Sequence, residues 1–193
     1  KRLNGKYFKS IFYQSPTTKS YCLPIMEIVI ETERLMLRKF TLDDAAFMLE
    51  MLNTPTWLRF IGDRNVRTLE EAEQYLLNGN IRSYQEYGFG FYVVVIKESQ
   101  ECIGICGMVN REGLDDIDIG FAYFQQFMGK GYGYEAASAT LNYAFNDLKI
   151  KRIVAIVDPE NEVSIALIKK IGLQFEKIVS LSPQAKELLL FGI

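Results

Sequence analysis

Apolar positions recur along this chain with two different periods, and the switches between them mark its elements. Arg34 to Arg38 alternates as a short strand, and Thr41-Leu42-Asp43-Asp44 reads as an N-cap opening a helix to about Asn53. Pro55 to Val66 carries no period and reads as a loop; Thr68-Leu69-Glu70-Glu71 then has capping-box spacing and predicts a helix through Tyr84. Three β-rich runs follow, Phe91 to Ile96, Cys102 to Val109 and Asp116 to Phe124, separated by turn residues as in an antiparallel meander. Ala137, Leu141, Ala144 and Phe145 recur at helical spacing within a helix predicted over Tyr132 to Asn146. Arg152 to Val157 reads as a buried strand, and Asn161 caps a helix that Gly172 closes. Phe175 to Val179 and the Leu188 to Phe191 region form a final hairpin. Strands, two early helices, a meander and then β-α-β-α-β amount to a mixed sheet covered by helices.

Composition narrows the functions such a fold can host. At 193 residues and 49% hydrophobic content the chain suits one domain with a sizeable core, expected over residues 26 to 193. Residues 1 to 25 stand apart: Lys1, Arg2, Lys6, Lys9 and Lys19 meet no acid, so this stretch reads as an appended basic leader, with a targeting peptide or a docking arm as alternatives. The net charge of −2 and scattered basic residues argue against a nucleic-acid partner. No apolar run approaches the ~20 residues of a membrane span. With no histidine, the chain has neither His-ligated zinc nor a Ser-His or Cys-His pair, and no metal is expected. Cys22, Cys102 and Cys106, odd in number, fit a reducing cytoplasm; Cys102 and Cys106, four apart in a strand-like run, are expected on one face as core-filling residues.

The chemistry concentrates in Gln126-Phe127-Met128-Gly129-Lys130-Gly131-Tyr132-Gly133-Tyr134-Glu135-Ala136, a glycine-rich turn between strand and helix. Alternating glycines turn the backbone tightly, and a helix starting there adds the positive end of its dipole, so the turn is an anion cradle suited to phosphate. Gly131 stands where a P-loop needs Ser or Thr. A dinucleotide fingerprint would place its third glycine one residue later than Gly133, although Asp158 could serve as a ribose-binding acid.

The pattern Gln-x-x-Gly-x-Gly resembles the acyl-coenzyme A signature of the GNAT N-acetyltransferases. The rest of the chain, from about Ile30, resembles the RimJ/RimL branch of that superfamily, which acetylates ribosomal-protein N-termini. The resemblance rests on Glu31-Thr32-Glu33-Arg34-Leu35-Met36-Leu37-Arg38, Asp118-Ile119-Gly120-Phe121, the glycine turn, and Asn161-Glu162-Val163-Ser164 followed by Lys170-Ile171-Gly172-Leu173. It implies an α/β (α+β) fold whose mixed, mostly antiparallel sheet of about six to seven strands splays into a central V and is covered by helices. It also implies acetyl-CoA as cosubstrate and a primary amine as acceptor, either a protein N-terminus or a small molecule, with the chain a monomer or homodimer.

The same resemblance implies roles for residues. Phe121, Ala122, Tyr123 and Phe124 form a bulged strand bordering the V, where the pantetheine arm lies beside unpaired N–H groups that stabilise an oxyanion. The backbone of Phe127, Met128, Gly129, Lys130, Gly131, Tyr132 and Gly133 holds the diphosphate, braced by Gln126. Asn161 and Ser164 contact coenzyme A, Ser164 close to the chemistry. Asp118 stands where relatives often carry a glutamate base and can act through water; as one of a run with Asp115 and Asp116 it can equally be a solvated turn charge. Many relatives protonate the departing thiolate with a tyrosine where this chain has Ile168. The early helices usually wall the acceptor pocket, so Trp57, Arg59, Phe60 and Arg64 are candidate acceptor contacts, with Trp57 and Phe60 also readable as core. An acyl-CoA sensor or scaffold without turnover is the alternative function.

Overall fold

The computed structural model describes residues 27–193, so the basic leader and the start near Met26 lie outside the described residues. The chain runs β1 (Ile28–Glu31), β2 (Leu35–Arg38), α1 (Ala45–Leu52), α2 (Pro55–Phe60), α3 (Leu69–Leu76), α4 (Arg82–Tyr87), β3 (Phe91–Ile96), β4 (Cys102–Val109), β5 (Ile117–Tyr123), α5 (Tyr132–Asn146), β6 (Ile153–Val157), α6 (Glu162–Lys170), β7 (Gln174–Val179) and β8 (Leu188–Gly192). Among the described residues one sheet holds all eight strands in the order β1-β2-β3-β4-β5-β6-β8-β7, and only β5 and β6 pair in parallel. The sheet exceeds the expected strand count because the short Ile28–Glu31 run pairs with β2 as a separate strand.

Two helical segments differ from the periodicity. Within the stretch read as a loop, Thr54 caps α2, its Oγ1 accepting from the Trp57 N–H at 3.3 Å, and Pro55 fills the first turn, where its missing N–H costs nothing. The helix opened by Thr68 continues past Tyr84 to Tyr87 through a π-helical turn at Leu77–Ile81, and Gly88 ends it in the left-handed region at φ 78°.

Each face of the sheet buries its own apolar layer. Ala136, Ala137 and Ala144 of α5 bring that helix close to Tyr92, Ile119, Ile153 and Phe191, while Met48, Met51, Trp57 and Leu76 of α1–α3 cover Val93, Val95 and Ile105. The β3–β4 register shifts between Val94 and Val95, leaving Ile103 as an extra residue. That bulge corrects the expectation for the thiols: Cys102 lies on the α1–α3 side, 3.6 Å from an Arg38 nitrogen, and Cys106 on the α5 side, 3.5 Å from the Thr140 hydroxyl. Among the described residues no helix is long and apolar enough to cross a membrane.

The feature that positions the site is the parting of β5 from β6. They pair only at Ile117↔Ile153 and Asp118↔Val154, after which β6 follows β8 and the β6-facing edge of β5 is left open. The bulge expected over Phe121 to Phe124 is absent, since β5 stays in register with β4 from Asp118 to Tyr123. Glycine absorbs the crowding: a Cβ on Gly104 would lie 2.4 Å from both the Ala122 carbonyl and the Tyr123 ring. The V therefore opens because β6 turns away, while β5 remains a regular strand.

Candidate active site

The glycine turn lies at one end of this opening. After a single 3₁₀ turn at Gln125–Phe127, Gly129 (φ 73°) and Gly131 (φ 85°) take left-handed backbone, and α5 starts at Tyr132 with Gly131 as its N-cap. No side chain among the described residues caps this helix, so the N–H groups of its first turn are unspent donors at the positive end of the dipole. A phosphate-bearing ligand fits this arrangement.

An anchor to the connection between β1 and β2 holds the turn in shape. Glu135, in the first turn of α5, accepts from Thr32 Oγ1 at 2.6 Å, the Arg34 N–H at 2.9 Å and Arg34 Nε at 2.7 Å. Arg34 Nη1 also donates to the Lys130 carbonyl at 3.2 Å, and its guanidinium lies 4.6 Å from the centre of the Tyr132 ring. Partial burial alone would push the Glu135 carboxyl up, but the hydrogen bonds from Thr32 and Arg34 bring it below the usual range. Sequence reasoning quoted Thr32, Arg34 and Glu135 as motif letters without seeing that they join.

Beyond Asp118 the β6-facing edge of β5 has no strand partner, and alternate N–H groups of Ile119 to Tyr123 point into the V. Across it, Asn161 Oδ1 accepts from the Ser164 N–H at 3.1 Å and caps α6. The resulting cleft of about 1080 Å³ is lined by Phe121, Ala122, Tyr123, Phe127, Met128, Gly129 and Gly133 on one side and by Asn161 and Ser164 on the other. Asp118, Trp57 and Arg64 also face it, whereas Gln126, Lys130, Gly131 and Tyr132 stand outside its wall. Lys130 and Gln126 are exposed. Arg59 does not join the site; it reaches Glu160 at 3.3 Å on the neighbouring surface.

Asp118 is not a solvated turn charge: only 1% of its surface is exposed. Its Oδ2 accepts from Arg111 Nε at 2.8 Å and Nη2 at 2.7 Å, and Oδ1 faces the Ile156 N–H at 3.4 Å. The side chain thus continues the ladder between β5 and β6 at the point where the backbones separate. Burial pushes its carboxyl up to about 6, with Arg111 pulling the other way. Arg111 was not foreseen, although the Val109↔Asp118 register of the β4–β5 hairpin brings it near.

Ile168, at the position where the resemblance implies a tyrosine, is buried and faces the cleft. Burial drives the Tyr123 hydroxyl well above its ordinary range, and Tyr132 and Tyr134 lie under Arg34 and Lys170. Neither Tyr132 nor Tyr134 is on the cleft wall. Asp158 is engaged by Lys186 and by the Glu160 N–H at 2.9 Å, and the sheet is mostly antiparallel, so the dinucleotide reading finds neither its acid nor its sheet.

Residues 34–174 match the acetyltransferase (GNAT) domain family. The chain is 31% identical to the uncharacterized N-acetyltransferase p20 of Bacillus licheniformis over 157 residues, covering 80% of this chain and 87% of that protein. It is 30% identical over 102 residues, 51% of this chain and 52% of the other, to the ribosomal protein uS5 alanine N-acetyltransferase of Escherichia coli. In fold it is similar to RimL, the ribosomal L7/L12 alpha-N-protein acetyltransferase solved with coenzyme A, with TM-score 0.74 and 18% identity over 86% of this chain and 97% of that one. With a donor-rich glycine turn at the mouth of a parted sheet and these relatives around it, the chain belongs to the GNAT acetyltransferase family, among kin that include ribosomal-protein acetyltransferases, and is an acyltransferase.

Proposed function

We propose that this protein transfers an acetyl group from acetyl-CoA to a primary amine, with both partners bound in the cleft at once. The observation that carries the reading is the coincidence of three parts at the V: the uncapped α5 terminus, the open edge of β5 and the buried Asp118 at the vertex.

Acetyl-CoA would supply an activated thioester. The N–H groups of Gly129 to Gly133 would hold its diphosphate, and Asn161 and Ser164 would flank the arm from α6. N–H groups on the free edge of β5 would receive the negative charge that grows on the carbonyl oxygen. Asp118 would accept the amine proton through a water, since Arg111 occupies Oδ2 and leaves Oδ1 the freer oxygen. With apolar Ile168 at the other side, the proton for the leaving thiolate would come from solvent. The free thiols Cys102 and Cys106 suit a reducing cytoplasm.

The apolar Ile168 also favours a second reading, an acyl-CoA sensor without turnover. Thiol release from acetyl-CoA, measured with peptide N-termini, amino acids and polyamines, separates the two. Amine-dependent release supports the transferase, and coenzyme A binding with no release from any amine supports the sensor.

A further inference from the structure

The acceptor half of the cleft has a charge pattern of its own. Most ionised side chains around it are matched: Arg111 with Asp118, Arg82 with Glu86, Arg59 with Glu160, Lys186 with Asp158. Arg64, on the loop after α2, faces the cleft with no acidic partner among the described residues. Tyr75 of α3, half-buried, lines the same cleft. Arg111 is matched by Asp118, so Arg64 remains on this wall as a cation with no paired carboxylate among the described residues.

A second feature points to the same place. The π-helical turn at Leu77–Ile81 interrupts the helix at Asn78-Gly79-Asn80, residues that extend a helix poorly, and turns Asn80 into the cleft wall. Asn80 is 7% exposed, and on the same cleft wall the Trp57 indole N–H is buried with no hydrogen-bond partner among the described residues. A buried N–H costs stability unless it is paired, so the Trp57 indole at the cleft wall is a donor available to a ligand.

Resting on the transferase reading, we infer that the acceptor is a small amine carrying an anionic group, which Arg64 binds while the Trp57 indole N–H donates to it or to a neighbouring carbonyl. An amine at the Asp118 vertex and an anion toward Arg64 describe an amino-acid-like or phosphate-bearing metabolite. A polyamine would meet an unmatched arginine, and a neutral peptide N-terminus would leave that charge unused.

The test is steady-state thiol release with matched acceptors: an amino acid, its amide, its decarboxylated amine, an amine phosphate ester, a polyamine and a neutral peptide. We expect kcat/KM to fall about 10- to 100-fold when the carboxylate becomes an amide, chiefly through KM, as loss of a charge-assisted pair implies. The phosphate ester shows whether carboxylate or phosphate is preferred. Exposed Arg64→Gln should erase the discrimination between acid and amide, and Asn80→Asp should shift preference toward cationic acceptors. Coenzyme A affinity, measured alongside, should be unchanged in both variants. Release that is fastest with the polyamine or neutral peptide, or that falls equally for all acceptors in Arg64→Gln, would overturn this inference and leave the transferase standing. Coenzyme A binding without release from any amine would end both.

Discussion

The two ends of the cleft are made of different material. At the α5 end the groups we propose to work are backbone N–H donors, presented by glycine and fixed from outside by the Arg34–Glu135 anchor. At the Asp118 end they are side chains from β4, β5, α2, α3 and the π-helical turn, brought together only by the tertiary fold. A backbone cradle serves any ligand with the same phosphate and tolerates change in the surrounding letters. A side-chain pocket must be rebuilt for each acceptor. The comparison predicts that variants at one end change donor affinity, variants at the other change turnover and acceptor choice, and few change both.

The largest effect should come from Gly131→Glu. Its backbone sits at φ 85°, where a side chain adds strain of about 1–3 kcal/mol, and its Cβ would stand 3.3 Å from Arg34 Nη2. The new carboxylate would repel phosphate and compete with Glu135 for Arg34. Calorimetry should show coenzyme A affinity falling by about 100-fold or more, equivalent to about 3 kcal/mol. An affinity within threefold of the parent would remove the glycine turn from the binding site.

Next is Asp118. Asp118→Ala leaves Arg111 facing a buried gap, and chemical denaturation should register a loss of about 3 kcal/mol, toward the lower end for a buried pair because Arg111 keeps 29% of its side chain in solvent. The native pair also has a pH signature. Because burial raises the folded carboxyl to about 6, the folded state binds a proton more readily than the unfolded one, and this group's contribution to stability declines as pH rises from about 4 to about 6. The decline should be on the order of 2–3 kcal/mol. Turnover should run the opposite way, rising through an apparent pKa near 6 as Asp118 ionises, and Asp118→Asn should remove both trends.

Smaller effects sharpen the contrast at the α5 end. Arg34→Ala frees the turn from the connection between β1 and β2, and we expect about a fivefold weaker coenzyme A affinity with about 1 kcal/mol of lost stability, modest because Arg34 is 45% exposed. Acceptor KM should stay put. Lys130→Ala should weaken coenzyme A by about twofold at low salt and by nothing measurable at 0.5 M salt, as expected of an exposed charge screened by ions.

The same contrast governs what could be read from the letters. Gly129, Gly131, Asn161 and the meander strands lie in contiguous segments whose spacing encodes their geometry, and the structure places them as spaced. The acceptor end was legible only in part. Trp57 and Arg64 face the cleft, but Arg59 was indistinguishable from them by type and spacing and is drawn instead to Glu160, across 101 residues of sequence. Arg111 and Tyr75 have no local signature, since their positions depend on hairpin register and helix packing. Asn80 did leave a trace, Asn78-Gly79-Asn80 inside a helical pattern, which marks a break in the helix without revealing its π geometry. The cysteine expectation failed for a related reason: one extra residue in β4 inverts the alternation, and nothing in Cys102-Ile103-Gly104 announces it.

The most direct test of a cleft with separable ends is Asp118→Asn, assayed by calorimetry for coenzyme A and by amine-dependent thiol release on the same preparation. The account predicts coenzyme A affinity within about twofold of the parent and release slowed by about 100-fold, the range expected for loss of a general base. Weakened binding together with slowed release would show that Asp118 serves the architecture of the whole cleft, and unchanged release would show that the proton leaves by another route; either result contradicts the account.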